Sequence, residues 1–492
     1  MISTRIWLLA VVVLAIVGRA WNLSAQCLDI DEYSELQLTK LSYTEAALAA
    51  DSMPPFFPVL HKAVYTLWPS DMAGRWLSLI VGVSTVWLVG TLWARAFGQV
   101  LGLMTATLLA LSPLSIYYSQ YIRSYGLVIF WAVLATGALA IAVRTRRRSD
   151  WLLFVVASLG GMYTHYYFAL YLSVLSLAFA IHEYGWRWSR QWWISNLCLG
   201  VLALPLIGFV GRDLHFQKSL RESRPFDVAS MGYTYVSMLT GYSVGPSKRD
   251  LQVMDQTKAL QRAVPAAAAA CVVFVCLGLA GADYLHRRNL LVLMIALSLV
   301  PVALVGLLGY VADVTFNPRF VVWSLPPLLL LLGAGALQVR RRWDARLGVV
   351  ALVLLSATAV YNRHYVAGHR NEDLSGLGSY LQQGVDRYPV FVLSNYMTPG
   401  VAHYLNEEWR VLELPKVDDV AALTPPQTLT ELAVDSLNKT LANDDGYWLV
   451  YTREFHGDPA GEILASLAEA GQLEMEREFA GIKLYRGQLQ NH

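Results

Sequence analysis

The chain has 492 residues, of which 55% are hydrophobic and 15% charged, with a mean hydropathy of +0.42. Soluble domains carry roughly 25% charge, so a chain folded wholly in water is excluded, and a net charge of +2 gives no case for nucleic acid as a partner. The charge is uneven. Met1 to Tyr361 carry 28 Lys and Arg against 17 Asp and Glu, whereas Asn362 onward carry 10 against 19, so two regions with different solvents join near Tyr361. The four cysteines, Cys27, Cys198, Cys271 and Cys276, form no CxxC pair and read as small buried hydrophobes.

A membrane crossing needs roughly 20 apolar residues. The apolar segments fall near 6–23, 73–94, 98–117, 123–143, 151–164, 166–182, 193–211, 264–283, 289–311, 320–339 and 346–361, about eleven spans. The first has the position of a signal peptide, but its run is long and no clean small-residue cleavage site follows, so it reads as a retained anchor. The two segments between Trp151 and His182 are short, and predict tilted helices or a pair meeting partway through the bilayer. With a cytoplasmic N-terminus, Arg95, Arg144 to Arg148, Arg187, Arg190, Arg287, Arg288 and Arg340 to Arg342 with Arg346 all fall on the inner side. An odd number of spans then places the C-terminal region outside.

The outer face is expected to hold a loop from Ser24 to about Asp71, a turn at Tyr117 to Ser124, a loop from Arg212 to Arg262 and the turn from Asp313 to Arg319. Glu32 to Ala50 has the spacing of an interfacial helix, ended by the proline-rich run 53–58. The Arg212 to Arg262 loop brings Tyr233, Tyr235 and Tyr242, either as a cover or as rings for stacking on a ligand. After Tyr361 helix and strand alternate: helices at 375–381, 400–405 and 461–470, strands at 388–394 and 447–451, and a hairpin near Phe479 to Tyr485. This predicts an extracytoplasmic α/β domain over 362–492 behind a membrane domain over 1–361. It has no Gly-rich phosphate loop to support a nucleotide site.

Four features carry chemistry. Asp29, Asp31, Glu32 and Glu35 cluster just after the first span, where they suit a base, a metal, or simply the capping of a helix in water. Arg123, at the mouth of a span, needs an anion, water or a snorkelling path to headgroups. His165 stands between the two short spans among aromatic residues, as a packing or a functional imidazole. Arg319 opens another span, where a guanidinium can grip phosphate bidentately.

An acidic pair after the first span, Pro-Pro-Phe-Phe (54–57), Tyr-Tyr-Ser-Gln (117–120) with Arg123 and Tyr125, Tyr-Thr-His-Tyr (163–166), and Asn-Pro-Arg-Phe (317–320) before Leu-Pro-Pro-Leu (325–328) follow one another in that order. Together they resemble the membrane glycosyltransferases of the GT-C fold, and family 39 in particular, the relatives of protein O-mannosyltransferases and aminoarabinose transferases. The likeness runs over roughly Ile6 to Leu337, and the region beyond is similar to the outer domain common in that group.

The resemblance implies an α-helical multi-pass protein of the cytoplasmic membrane that moves a sugar from a polyprenyl-phosphate donor to an acceptor of unknown kind at the outer face. It implies Asp31 as base with Glu32 beside it, Arg123 and Arg319 on the lipid phosphate, and Asp29, Gln120, Tyr125, His165 and Tyr166 lining the cavity. The family often has an acid just after Tyr-Tyr-Ser-Gln, where this chain has Tyr121. No metal ligand is therefore assigned, and a divalent metal stays open. Phosphate is a weak base as leaving group, so one carboxylate suffices, arginines meet the developing charge, and a single displacement inverts the anomeric carbon. A lipid-linked sugar flippase or transporter is the alternative, but its charges should mark a midplane pathway with repeats. A receptor or scaffold would tolerate Asp31→Asn.

Overall fold

A computed structural model describes residues 3–49, 53–184, 189–219, 227–247, 249–254, 256–312, 316–384, 386–414, 433, 437, 441 and 446–489. Arg187, Asp313 and the middle of the Arg212 to Arg262 loop, all named above, lie outside this set. The chain divides into two compact units. One comprises Met1–Leu23, Glu35–Gly245 and Arg262–Tyr361, the other Ser24–Ser34, Pro246–Gln261 and Asn362–His492.

The first unit is helical, and each of the eleven apolar segments forms helix. Among the described residues six helices qualify by length and apolarity to cross a membrane: Ala73–Phe97, Tyr125–Thr145, Thr257–His286, Leu291–Val311, Pro318–Ala336 and Trp343–Tyr365. Two bent pairs, Gln99–Leu111 with Pro113–Ser119 and Arg190–Ala203 with Leu206–Arg212, bring the number to eight. Thr4–Ala20, Arg148–Met162 and Phe168–Tyr184 are shorter, at 17, 15 and 17 residues. Thr4–Ala20 shows why such a segment folds this way. Ser3 caps its first turn, Val11, Ala15 and Arg19 form the buried stripe, and Ile6, Leu9, Val13 and Val17 face outward at 51–64% exposure.

The helix Gln99–Leu111 breaks at Ser112 with a 64° bend because Pro113 has no N–H to offer the Leu109 carbonyl. Elsewhere close packing depends on glycine: a Cβ at Gly335 would run into the Leu277 backbone, and one at Gly281 into the Leu331 carbonyl.

The interfacial helix expected over Glu32 to Ala50 is two helices, Ile30–Leu38 and Tyr43–Leu48. Ser42 starts the second with a reciprocal capping box to Glu45, which stops the first from continuing through. The proline-rich run then opens a further helix, Phe56–Leu67.

Among the described residues the second unit holds a five-stranded sheet of β1 (Val390–Leu393), β2 (Val411–Leu414), β3 (Tyr447–Thr452), β4 (Gly471–Phe479) and β5 (Ile482–Leu489), in the order β2-β1-β3-β5-β4. β1 runs parallel to β2 and β3, and β5 antiparallel to β3 and β4. β1 and β3 are buried throughout, as a central strand with both faces covered requires. The helix Leu374–Gln382 packs Leu374, Leu377 and Leu381 against Val390, Val392 and Trp448 on one side of the sheet. Opposite them, Ile463 and Leu467 of Glu462–Ala470 join Phe391, Leu449 and Tyr451. Alternation along β1 sends Val390 and Val392 to one core and Phe391 and Leu393 to the other.

Candidate active site

Within the helical unit the separate motifs meet at one imidazole. The His165 ring lies 6.1 Å from Tyr125, 5.8 Å from Phe320 and 5.2 Å from Trp323. Asn317 fixes the start of the 3-10 turn Pro318–Ser324 by accepting the Arg319 N–H at 3.2 Å. That brings the Arg319 guanidinium to 5.9 Å from the Tyr125 ring and 5.5 Å from the Phe320 ring, within cation–π range. His165 is 3% exposed, and neither ring nitrogen has a hydrogen-bond partner among the described residues. Burial first, and the Arg319 charge second, hold its pKa down at about 3. It is neutral at pH 7 and too weak a base to shuttle protons there. Tyr166 beside it is half-buried, its carbonyl accepting the Ala169 N–H.

Arg123 is buried and ion-paired to Glu35, Nη1 to Oε1 at 3.0 Å. The anionic partner that an arginine at this depth needs is thus protein, and the snorkelling alternative fails. Gln120 donates through Nε2 to the carbonyls of Arg19 and Trp21, tying the end of the first helix to the turn before Arg123. Arg19 braces the same turn. Its guanidinium donates to Leu109 O and Ala110 O, the carbonyls at the Pro113 break, and to Ser115 Oγ, Ser119 Oγ and Ala15 O. Tyr118 and Tyr242 share a 3.1 Å hydroxyl contact, so this tyrosine of the 212–262 loop is held by protein.

The second unit sorts the acidic segment. Asp29 accepts the Asp31 N–H at 3.4 Å, and the Glu32 carboxylate accepts the Asp29 N–H at 3.0 Å, a reciprocal cap on Ile30–Leu38. Asp29 also pairs with Arg453 at 3.3 Å. Burial opposes the charge of Arg453, but Glu372 and Asp29 outweigh it and hold its pKa above the ordinary arginine value. Asp29, Glu32 and Glu35 are 8%, 0% and 2% exposed, whereas Asp31 is half-buried. The picture of solvated acids is therefore wrong for three of the four. They cap the helix or neutralise arginines, and Asp31 is the most accessible.

Among the described residues no three His, Cys, Asp or Glu side chains form a group able to hold a metal ion, and Asp29, Glu32 and Glu35 already serve arginines or backbone.

Residues 52–210 match the family model described as dolichyl-phosphate-mannose-protein mannosyltransferase. No curated protein matches the chain by sequence. Among solved structures the chain is similar to ArnT from Cupriavidus metallidurans in the apo state, with 13% identity, TM-score 0.59, and 98% of this chain and 97% of that one covered. The chain has the GT-C fold of membrane glycosyltransferases. The same fold is matched in that ArnT bound to undecaprenyl phosphate, at 12% identity and TM-score 0.56 with 98% of both chains covered. It is also matched in the apo oligosaccharyltransferase of Archaeoglobus fulgidus, at 10% identity and TM-score 0.56 over 97% of this chain and 74% of that one. This is a multi-pass membrane protein.

Sequence reasoning missed Arg19 and Arg453. An arginine inside an apolar run was a usable signal for Arg19. Nothing local marks Arg453, whose partners lie 81 and 424 positions away.

Proposed function

We propose that this GT-C protein transfers a sugar from a polyprenyl-phosphate donor to an acceptor hydroxyl or amine at the outer face of the cytoplasmic membrane, with a cytoplasmic N-terminus. The observation that carries the reading is the division of labour among the charged groups. Arg123 is buried and ion-paired to Glu35, Arg319 stands at the junction of three motifs, and Asp31 is the most accessible acid of its segment. The relatives support the donor class. One solved ArnT holds undecaprenyl phosphate, and the family description names a dolichyl-phosphate sugar.

In the reaction the acceptor's proton passes to the Asp31 carboxylate while its oxygen or nitrogen bonds to the anomeric carbon. The bond from that carbon to the phosphate oxygen breaks, and its electron pair leaves with the lipid phosphate. Arg123 and Arg319 bind that phosphate as its charge grows. Glu32 holds the helix turn on which Asp31 sits. Gln120, Tyr125, His165 and Tyr166 shape the wall, His165 as a neutral ring. Asp29 anchors the turn.

The test uses purified protein in vesicles with a polyprenyl-phosphate sugar labelled in the sugar, and membranes from cells lacking the protein as acceptor. The expected result is label on the acceptor, free lipid phosphate, and an inverted anomeric centre. Label that only changes leaflet, still attached to lipid, would establish the flippase instead.

A further inference from the structure

We propose that Arg453 is a positioning residue for the segment carrying Asp31, which makes the sheet domain a working part of the transferase. This rests on the assignment of Asp31 as the base. Residues 24–34 fold with the sheet domain although they follow the first helix in sequence. Gln26 Nε2 donates to Arg363 O at 2.7 Å, Asn371 Nδ2 to Cys27 O at 3.0 Å, and the Leu28 N–H to the Tyr404 hydroxyl at 3.1 Å. Ile30 packs against the core that includes Leu374, Val401 and Leu405.

Arg453 supplies the charged tether. It follows β3 directly and has φ 46° and ψ 46°, in the left-handed region where glycine is the unstrained choice. Ser394, directly after β1, is also left-handed at φ 66°, and its hydroxyl donates to the carbonyls of Thr452 and Arg453 at 3.2 and 3.0 Å. The chain leaves β1 toward β2 on one side and returns to β3 on the other, so these two strand ends flank the switch point of the sheet, where α/β folds place their functional groups.

There the Arg453 guanidinium forks the Glu372 carboxylate, Nε to Oε1 at 2.7 Å and Nη2 to Oε2 at 3.1 Å, and Nη2 reaches Asp29 at 3.3 Å. Glu372 is itself fixed, since Gly481 at φ 72° leaves it room and a Cβ there would stand 2.9 Å from its Cγ. The tether thus runs from the hairpin turn through Glu372 and Arg453 to Asp29, whose carboxylate accepts the Asp31 N–H. A strained backbone at a non-glycine residue persists where its side chain is required, and this side chain holds the helix start that presents Asp31.

The test uses full-length protein. Amide exchange of residues 29–34 is followed in nanodiscs, and cell-surface glycans are quantified by mass spectrometry in a deletion strain carrying each variant at matched expression. Arg453→Gln is expected to speed exchange in 29–34 about tenfold, leave the helices of the membrane unit unchanged, and reduce the glycan product about tenfold. Arg453→Lys, which keeps the charge, is expected to recover most of both, a rescue that general unfolding would not give. Exchange within twofold of wild type, or faster exchange with full product, overturns the proposal. If Arg453→Gln unfolds, Asp29→Asn and Glu372→Gln are read in its place, with the same changes expected from Asp29→Asn and smaller ones from Glu372→Gln. If Asp31→Asn also leaves the product intact, the reading of Asp31 as base has failed, and the tether is then judged on exchange alone.

Discussion

The Arg19 guanidinium makes five hydrogen bonds in a fully buried setting, and all go to neutral oxygens. It replaces the proline's missing donor at the break between Leu111 and Pro113. Each buried acceptor left without a partner costs roughly 1–3 kcal/mol. Arg19→Met is therefore expected to lower the detergent Tm by several degrees, and Arg19→Lys by less. An unchanged Tm in Arg19→Met would refute the brace.

His165 yields a pH prediction. Its folded pKa of about 3 lies below the ordinary value near 6.5. As pH falls through that window the unfolded chain takes up a proton that the native site refuses, so its contribution to stability is full above pH 6.5 and drains away toward pH 3. His165→Phe should flatten the decline of Tm between pH 7 and pH 4. A decline as steep as wild type would show that the imidazole is not the titrating group. At this scale the residue types were legible and their partners were not. Arg123 advertised its need for an anion, but only the folded chain identifies Glu35 as meeting it.

Among the elements, the apolar helices, β1, β3 and the closing hairpin could be read because local periodicity encodes them. Two features could not. β2 is only four residues long and half-buried, so its pattern is weak until β1 pairs with it. The interfacial helix looked continuous because its apolar spacing runs on through residues 39–42, and the break depends on the Ser42 cap. Close helix contacts are likewise silent in hydropathy. Gly335→Val would place its Cβ against the Leu277 backbone, 2.8 Å from the carbonyl carbon and 2.9 Å from Cα, and backbone cannot swing aside as a side chain can. Overpacking of this kind costs about 1–3 kcal/mol or more. The expected outcome is a lower Tm and a reduced yield of folded protein, whereas Gly278→Val, whose Cβ position meets nothing within 4 Å, should be near wild type in both. Equal behaviour of the two variants would refute the close crossing.

For the whole molecule, the net charge reverses near Tyr361, and Asn362–His492 belong to the second compact unit. Composition could not reveal that Ser24–Ser34 and Pro246–Gln261 join that unit, because membership is decided by pairings such as Arg453 with Asp29 and Arg249 with Glu454. The acidic segment thus reads as a loop of the membrane region in sequence and folds with the sheet domain. That arrangement gives its buried acids structural roles, and it is the basis for the proposal that Asp31 is the base of the transfer reaction. The direct measurement is sugar transfer from a polyprenyl-phosphate donor by wild type and Asp31→Asn at equal folded amounts. Removing a general base typically costs 10²–10⁴-fold, so the expected turnover in Asp31→Asn is at least about 100-fold lower with donor binding retained, and turnover within a few-fold of wild type would contradict the assignment.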